Sequence, residues 1–502
     1  MQSLLNLPYV NEVRALALAQ HIPIILVGGA VRDALLGKPV HDLDFAVQHH
    51  AVVLARATAN ALGGDFYLMD AERGTARVIL TPPDAAPFYL DFAQYRGEAS
   101  GEGGDWNADL LARDLSINAI AYDLLNDVLL DPAGGQADLA ARVIRQASPH
   151  TLDDDPVRAL RAVRMAVSLG YAIEPDTAQS IQRQRTRLDI PSPERVRDEL
   201  VKALTLPNAA QAVRQFDAYG LLTAMIPEME PLRDCTQSPP HVFTALEHTF
   251  VVLDYLDQII THVFALPDAG DVPAWLTGLQ IAPGDAQRLA QQLRAVTSND
   301  RTRGAAFRLA ALLHDIAKPS HRSVDDHGRI HFYEHEEAGA PIAAARAHAL
   351  KFSSDEVQQI RVTVQQHMRP NQMARDQSEM GPSPRAIYRY MRDVGVCAPE
   401  ISLFCLADGM GKAGAASALD DAQRRARIAS LLIVRYYEHY DPRSAPAPLL
   451  NGNDILALGV RAGPRIGDIL NRVREAQMVG EVTTVEAALE LARRLAAERV
   501  DN

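Results

Sequence analysis

Cysteine is scarce in this 502-residue chain: only Cys235, Cys397 and Cys405 occur. Three thiols exclude a disulfide framework and a Cys-rich zinc site. Long apolar runs are also missing, so no segment reads as a membrane span. The start, Met1-Gln-Ser-Leu-Leu-Asn, lacks the basic flank and apolar stretch of a signal peptide. Internal repeats and low-complexity tracts are absent as well. Positive charge is in deficit, with a formal net charge of −13. Generic nucleic-acid binding is disfavoured by that sum, although a local basic face can coexist with it. Together these absences point to a reducing cytoplasm and to no membrane partner.

What is present is an ordinary globular composition, 47% hydrophobic and 23% charged. The length is too great for one core. Residues 1–130 mix strand and helix signals. His21–Val27, Leu43–Val47, Phe66–Met69, Ala76–Leu80 and Phe88–Phe92 read as strands. Ala30–Leu36 and Val52–Leu62 read as helices. Gly97–Gly104 is glycine-rich and is expected to be mobile. From about Asp153 helical periodicity dominates. Boundaries fall near 130, 235 and 430, giving segments 1–130, 131–235, 236–430 and 431–502. Pro227–Pro240 reads as a linker, and Ser444–Pro448 introduces the last segment.

The most informative stretch is Leu26-Val-Gly-Gly-Ala-Val-Arg-Asp-Ala-Leu-Leu-Gly37, followed by Asp42-Leu-Asp44. Gly28 and Gly29 at a strand end let backbone N–H groups approach a phosphate, and the following helix offers its positive end. Arg32 can add a charge-assisted fork. Asp42 and Asp44, two apart on a strand, point to one face and can hold Mg²⁺ against a triphosphate. In isolation, a tight strand–helix turn and a surface acid pair would read the same way.

Two further segments follow. Arg113-Asp-Leu-Ser-Ile-Asn118 runs into Ala-Ile-Ala-Tyr, which also suits a capped buried helix. Asp153-Asp-Asp-Pro-Val-Arg158 continues through Arg161 and Arg164. Pro156 suits a first helical turn, and positions 155, 158, 161 and 164 share about half the circumference. Asp155 with Arg158 can read a base edge, one accepting and one donating. Arg161 and Arg164 can hold phosphate or RNA backbone. A structural Asp–Arg ladder fits the same spacing. The clusters Arg183, Arg185, Arg187 and Arg424, Arg425, Arg427 read as solvated helix faces.

In this order the segments resemble the class II tRNA nucleotidyltransferase / poly(A) polymerase family. Asp131-Pro-Ala-Gly-Gly135 matches its turn segment, and Pro193–Glu199 resembles its next element. The resemblance implies an α/β, polymerase-β-like head followed by all-α neck, body and further helical domains. It implies attack of an RNA 3′-hydroxyl on a nucleoside triphosphate, with Asp42 and Asp44 holding two Mg²⁺ ions. Gly28, Gly29, Arg32 and Arg113 would contact the nucleotide. Asp155 and Arg158 would choose the base, with Arg161 and Arg164 nearby. The expected partners are tRNA and CTP and/or ATP. Two departures stand out: Ala112 replaces an arginine often found before Arg113, and the glycine-rich stretch before Asp109 matches poorly. CCA, CC-only, A-only and poly(A) addition all stay open.

The helical region adds His248, His314-Asp315 and Asp408. The order H…HD…D resembles the HD phosphohydrolase superfamily, which implies a second divalent metal on these residues. Lys318 would lie near a phosphate, and His335 and His367 stand where some HD proteins hold another ion. A metal-dependent phosphohydrolase with a nucleotide- or RNA-binding head is the alternative reading of the chain.

Overall fold

The computed structural model describes residues 2–83, 86–95, 105–265, 272–375, 381–412 and 419–498. They pack as two compact units. One comprises Met1–Glu199 with Gln215–Met225; the other comprises Leu200–Arg214 with Ile226–Asn502. Gly97–Gly104, expected to be mobile, lies outside the described residues.

The first unit is built on a seven-stranded mixed sheet in the order β3-β4-β5-β2-β1-β6-β7. Its strands are β1 (Ile24–Val27), β2 (Asp42–Val47), β3 (Asp65–Asp70), β4 (Thr75–Leu80), β5 (Phe88–Gln94), β6 (Ala121–Asp123) and β7 (Val128–Leu130). β2 and β5 run parallel, and the other neighbours are antiparallel. Helix α1 (Gly29–Leu35) follows β1 and α2 (Ala51–Leu62) follows β2.

Alternation decides what each face of the sheet does. Leu43, Phe45 and Val47 on β2 are fully buried. They share their face with Leu90 and Phe92 of β5, and the rings of Phe45 and Phe92 stack at 5.0 Å. Helix α2 covers this face with Leu54, Ala55, Thr58 and Ala59. Each large apolar side chain removed from water there contributes about 1.5–3 kcal/mol. The opposite face is apolar at one end, where Ile25, Val27, Ala46, Leu110, Ala119 and Ala121 cluster. At its other end it carries charge.

Residues 113–118 do not open a helix. Ser116–Asn118 form a single 3-10 turn, and the apolar run after them becomes β6, pairing with β1. A three-residue strand between two partners leaves too short a pattern to distinguish from a buried helix. Helix α3 (Val157–Leu169) starts one residue after Pro156 and ends at Gly170, whose left-handed φ of 69° closes it.

The second unit is mainly helical. Helices α4 (Ala245–Ala265), α5 (Arg303–Leu313), α6 (His335–Ala349), α7 (Ser354–Gln366), α8 (Met368–Arg375), α9 (Ala398–Gly411) and α10 (Leu419–Arg435) surround one polar cluster. The expected linker at Pro227–Pro240 is packed instead. Met229 and Leu232 are fully buried, and Glu228 pairs with Arg346 at 2.7 Å. Proline fixed the chain's direction there without leaving it solvated. Short ribbons at Val296–Thr302 and Arg322–Phe332 also interrupt the helices.

Pro384–Gly411 has the length and apolar composition of a membrane span, but 89% of its apolar window is buried inside the protein, as in a core helix. A 3-10 turn at Gly395–Cys397 divides it into two helices. Three helices at the end of the chain, Gly452–Ala457, Pro464–Met478 and Val485–Ala497, share a small core of Ile455, Ile469, Val473, Ala488 and Ala492.

Candidate active site and metal centre

The charged end of the sheet gathers the first set of residues. Asp42 and Asp44 lie on the same face of β2, as their spacing predicts. In the parallel ladder Asp44 is level with Asp91 of β5, and Asp91 is level with Arg77 of β4. Arg77 grips Asp91 with two hydrogen bonds of 2.7 Å. Burial, then Asp42, then Asp91 push the Asp44 carboxyl up to about 6; Arg113 and Arg77 partly oppose them. Three carboxylates in partial burial repel one another, and a cation relieves that repulsion. Their hard oxygen donors suit Mg²⁺ or a similar ion.

Gly28 sits directly before α1 with φ 76° and ψ −139°, a conformation open essentially to glycine. A Cβ built there would lie 3.4 Å from an Asp44 oxygen and 3.5 Å from the Arg113 guanidinium. The glycine turn, the carboxylate and that arginine therefore converge. Arg113 donates to the buried Asp109 at 3.1 Å, and its Nε is buried without a partner.

Arg32 forks onto Asp33 at 2.9 and 2.8 Å and donates to Asn118 Oδ1 at 2.6 Å. Asn118 donates to Asp114 at 3.0 Å. Asp114 accepts from Arg161 at 3.0 Å, and Arg161 and Arg164 both donate to the buried Glu199, at 2.9 and 2.8 Å. One polar chain thus runs from α1 to α3. It pairs Arg161 and Arg164 with carboxylates, as a structural ladder would. Burial disfavours the Arg161 cation, but Glu199 and Asp114 outweigh it and stabilise the charge.

Arg158 donates from NH1 to the carbonyls of Ala112 (3.0 Å) and Thr151 (3.3 Å). Its Nε lies 3.6 Å from Asp155, which also accepts from Arg195 at 2.5 Å. Arg158 therefore fastens α3 to the segment carrying Arg113. Arg77 and Asp91 lie outside every sequence motif, whereas Arg195 and Glu199 fall within Pro193–Glu199, a segment to which no residue role was attached. The signal for Asp91 was a lone acid in an apolar strand, at the alternation position it shares with Asp44.

The second unit gathers His248 (α4), His314-Asp315 (end of α5), His335 (α6), His367 (end of α7) and Asp408 (α9), all buried. Among the described residues two sets could hold a metal: His248, His314, Asp408, and His314, Asp315, His367. Nδ1 of His314, His335 and His367 each points at a backbone carbonyl, at 2.7–2.8 Å. That bond places a proton on Nδ1, so Nε2 is the ring atom that can ligate a metal. Nε2 of His248, His314 and His335 is buried with no hydrogen-bond partner.

Asp408 Oδ1 approaches His248 Nε2 at 3.2 Å, and Asp315 takes the Lys318 ammonium at 2.6 Å. Burial lowers the His248 pKa and, with His314, lowers His367 to about 3, so both rings are neutral. Burial would raise Asp315, but His314 and Lys318 hold it well below the carboxylate range. His248 and His367 are thus in the neutral state, and Asp315 in the ionised state, that metal binding needs. Burial would lower His335 too, but Asp315 outweighs it and favours that ring's cation, so a metal there would displace a proton.

The family model "Poly A polymerase head domain" matches residues 24–145. "Probable RNA and SrmB-binding site of polymerase A" matches 170–232, and "HD domain" matches 285–408. An A-adding tRNA nucleotidyltransferase of Deinococcus radiodurans is 32% identical over 480 residues, covering 94% of this chain and 95% of that protein. The chain belongs to the tRNA nucleotidyltransferase / poly(A) polymerase family.

A CC-adding member from Thermus thermophilus is 29% identical, covering 92% of this chain and 91% of its own. Among solved structures, a CCA-adding enzyme with ATP superposes with a TM-score of 0.61 at 19% identity, covering 96% of this chain and 94% of that one. The fold is therefore that of the family: a nucleotidyltransferase head with a mixed sheet, a helical body and an HD domain. The HD match begins after His248, so the first histidine of the cluster comes from outside the matched segment.

Proposed function

We propose that this protein is a template-independent RNA 3′-end nucleotidyltransferase. It adds C and/or A to tRNA from CTP and/or ATP and releases pyrophosphate. The observation that carries the reading is the convergence of Asp44, Gly28 and Arg113 beside Asp42. The naming of full-length relatives for A and CC addition supports it.

Asp42 and Asp44 hold Mg²⁺, which when bound supplies Lewis-acid stabilisation to the reacting phosphate. The backbone of Gly28 and Gly29 approaches the triphosphate. Arg113 lies beside Gly28 and Arg32 beside Gly29, where cations neutralise phosphate oxygens. Asp155 and Arg158 present an acceptor and a donor to the incoming base. Arg161 and Arg164 support that edge through Glu199. The chain divides in function into a head (1–130), a neck and body that select nucleotide and bind RNA (131–235), an HD domain (236–430) and a tail (431–502). The cytoplasm, where tRNA and nucleotides meet, is the compartment proposed.

A second reading concerns the helical unit. The buried Nε2 atoms of His248 and His314, each 3.1–3.2 Å from a carboxylate oxygen, favour a divalent metal on His248, His314, Asp315 and Asp408, with accessory phosphohydrolase activity.

One experiment tests the main reading. Each of the four NTPs is offered, with Mg²⁺, to tRNAs ending before C, after C and after CC. Incorporation confined to C, to A, or to both identifies the product. Repeated A addition to any RNA end identifies a poly(A) polymerase. No incorporation anywhere refutes the proposal. Asp42→Ala is expected to cut the rate at least about a thousandfold while near-UV circular dichroism stays unchanged. Retained transfer would remove Asp42 from the site.

A further inference from the structure

Of the arginines at 424, 425 and 427, two are exposed and one is not. Arg424 and Arg427 face solvent from α10, while Arg425 is 5% exposed. Its Nε and NH2 donate to Asp421 at 3.1 and 2.6 Å, and its NH1 donates to Asn371 Oδ1 at 2.6 Å. Asn371, on α8, is fully buried and donates from Nδ2 to Asp408 Oδ2 at 2.6 Å.

We infer that Asn371 and Arg425 are positioning residues for the metal cluster, fixing which oxygen of Asp408 faces it. The inference rests on reading that cluster as a metal site. An asparagine amide can face either way, but a guanidinium only donates and keeps its proton. Arg425 therefore forces the Asn371 oxygen towards itself and the NH₂ group towards Asp408. That NH₂ occupies Oδ2, and Oδ1 is left facing His248 Nε2 at 3.2 Å. The relay has one polarity, from a permanent cation to a metal-ligating carboxylate.

The helix bearing Asp408 is shaped for it. A Cβ on Gly409 would lie 2.5 Å from Arg425 Cδ and 2.7 Å from its Nε. Only glycine lets the guanidinium cross α9 at this point. Two residues on, a Cβ on Gly411 would meet Val252 at 2.5 Å and the His248 ring at 3.0 Å. Both glycines in Gly409-Met-Gly411 thus admit a side chain that leads to the cluster.

The test uses the full chain, stripped with chelator and titrated with Co²⁺ alone. The ligand-field absorption reports histidine coordination, and near-UV circular dichroism reports the fold. Wild type is expected to give a saturable Co²⁺ spectrum. Asn371→Leu is expected to weaken Co²⁺ binding ~10–100-fold. Arg425→Lys is expected to weaken it less, and to add nothing in the Asn371→Leu background, because both act through one amide. Gly409→Ala displaces the guanidinium without removing a polar group; it is the second probe should Asn371→Leu fail to fold. Nucleotide incorporation by the head is expected to be unchanged in all of them.

No Co²⁺ spectrum in wild type would overturn the metal reading, and the inference with it. A normal wild-type spectrum with unchanged affinity in Asn371→Leu and Gly409→Ala would overturn the inference alone. Additive losses in the double variant would overturn the route from Arg425 through Asn371.

Discussion

Asp44 is expected to destabilise the domain it serves. Burial and the neighbouring Asp42 and Asp91 raise its carboxyl from the ordinary 3.8 to about 6. The native state therefore binds this proton more tightly than the unfolded chain. The advantage of the protonated form is complete below about pH 4 and is lost as pH rises through 6. Above that, the ionised carboxylate lowers native stability by up to ~3 kcal/mol. Asp44→Asn removes the charge and keeps the shape.

The variant should thus be more stable than wild type by up to ~3 kcal/mol at pH 8, and by roughly half that at pH 5. For a unit of this size the pH 8 difference corresponds to a Tm higher by about 6–12 °C. The assay is scanning calorimetry of the chelator-treated full chain at both pH values. Added Mg²⁺ should raise the wild-type transition and leave the variant's unmoved, because only the former binds it tightly. Nucleotide incorporation should disappear in the variant. If metal-free Asp44→Asn melts at or below wild type at pH 8, the argument from buried like charges is wrong.

Two more outcomes follow from the first unit. Glu199→Gln leaves Arg161 and Arg164 without their shared carboxylate and should lower stability by ~3 kcal/mol in urea unfolding; a loss below 1 kcal/mol would show that the polar chain is not structural. Gly135→Ala should prevent folding or shift the Tm steeply downward, since its Cβ would fall 2.2 Å from the Ser116 carbonyl oxygen; a soluble variant with wild-type Tm would contradict that packing.

The local parts of the site were legible in the sequence. Gly28-Gly29, Asp42 and Asp44 lie where strand alternation and glycine's backbone freedom place them, because both rules act over a few residues. The start of α3 beside Pro156 was legible for the same reason. Strand β6 was not: three residues carry too little periodicity, and their pairing with β1 is a long-range fact. The bare charge of Arg425 could not show that it is buried against Gly409.

By itself, then, the sequence determined the motifs, their order and the family to which the chain belongs. The tertiary structure decided the company they keep. Asp91 reaches Asp44 across a parallel ladder, Glu199 couples Arg161 to Arg164, and Asn371 links Arg425 to Asp408. Each of these contacts joins residues 35 or more positions apart, where no local propensity acts and only packing brings them together.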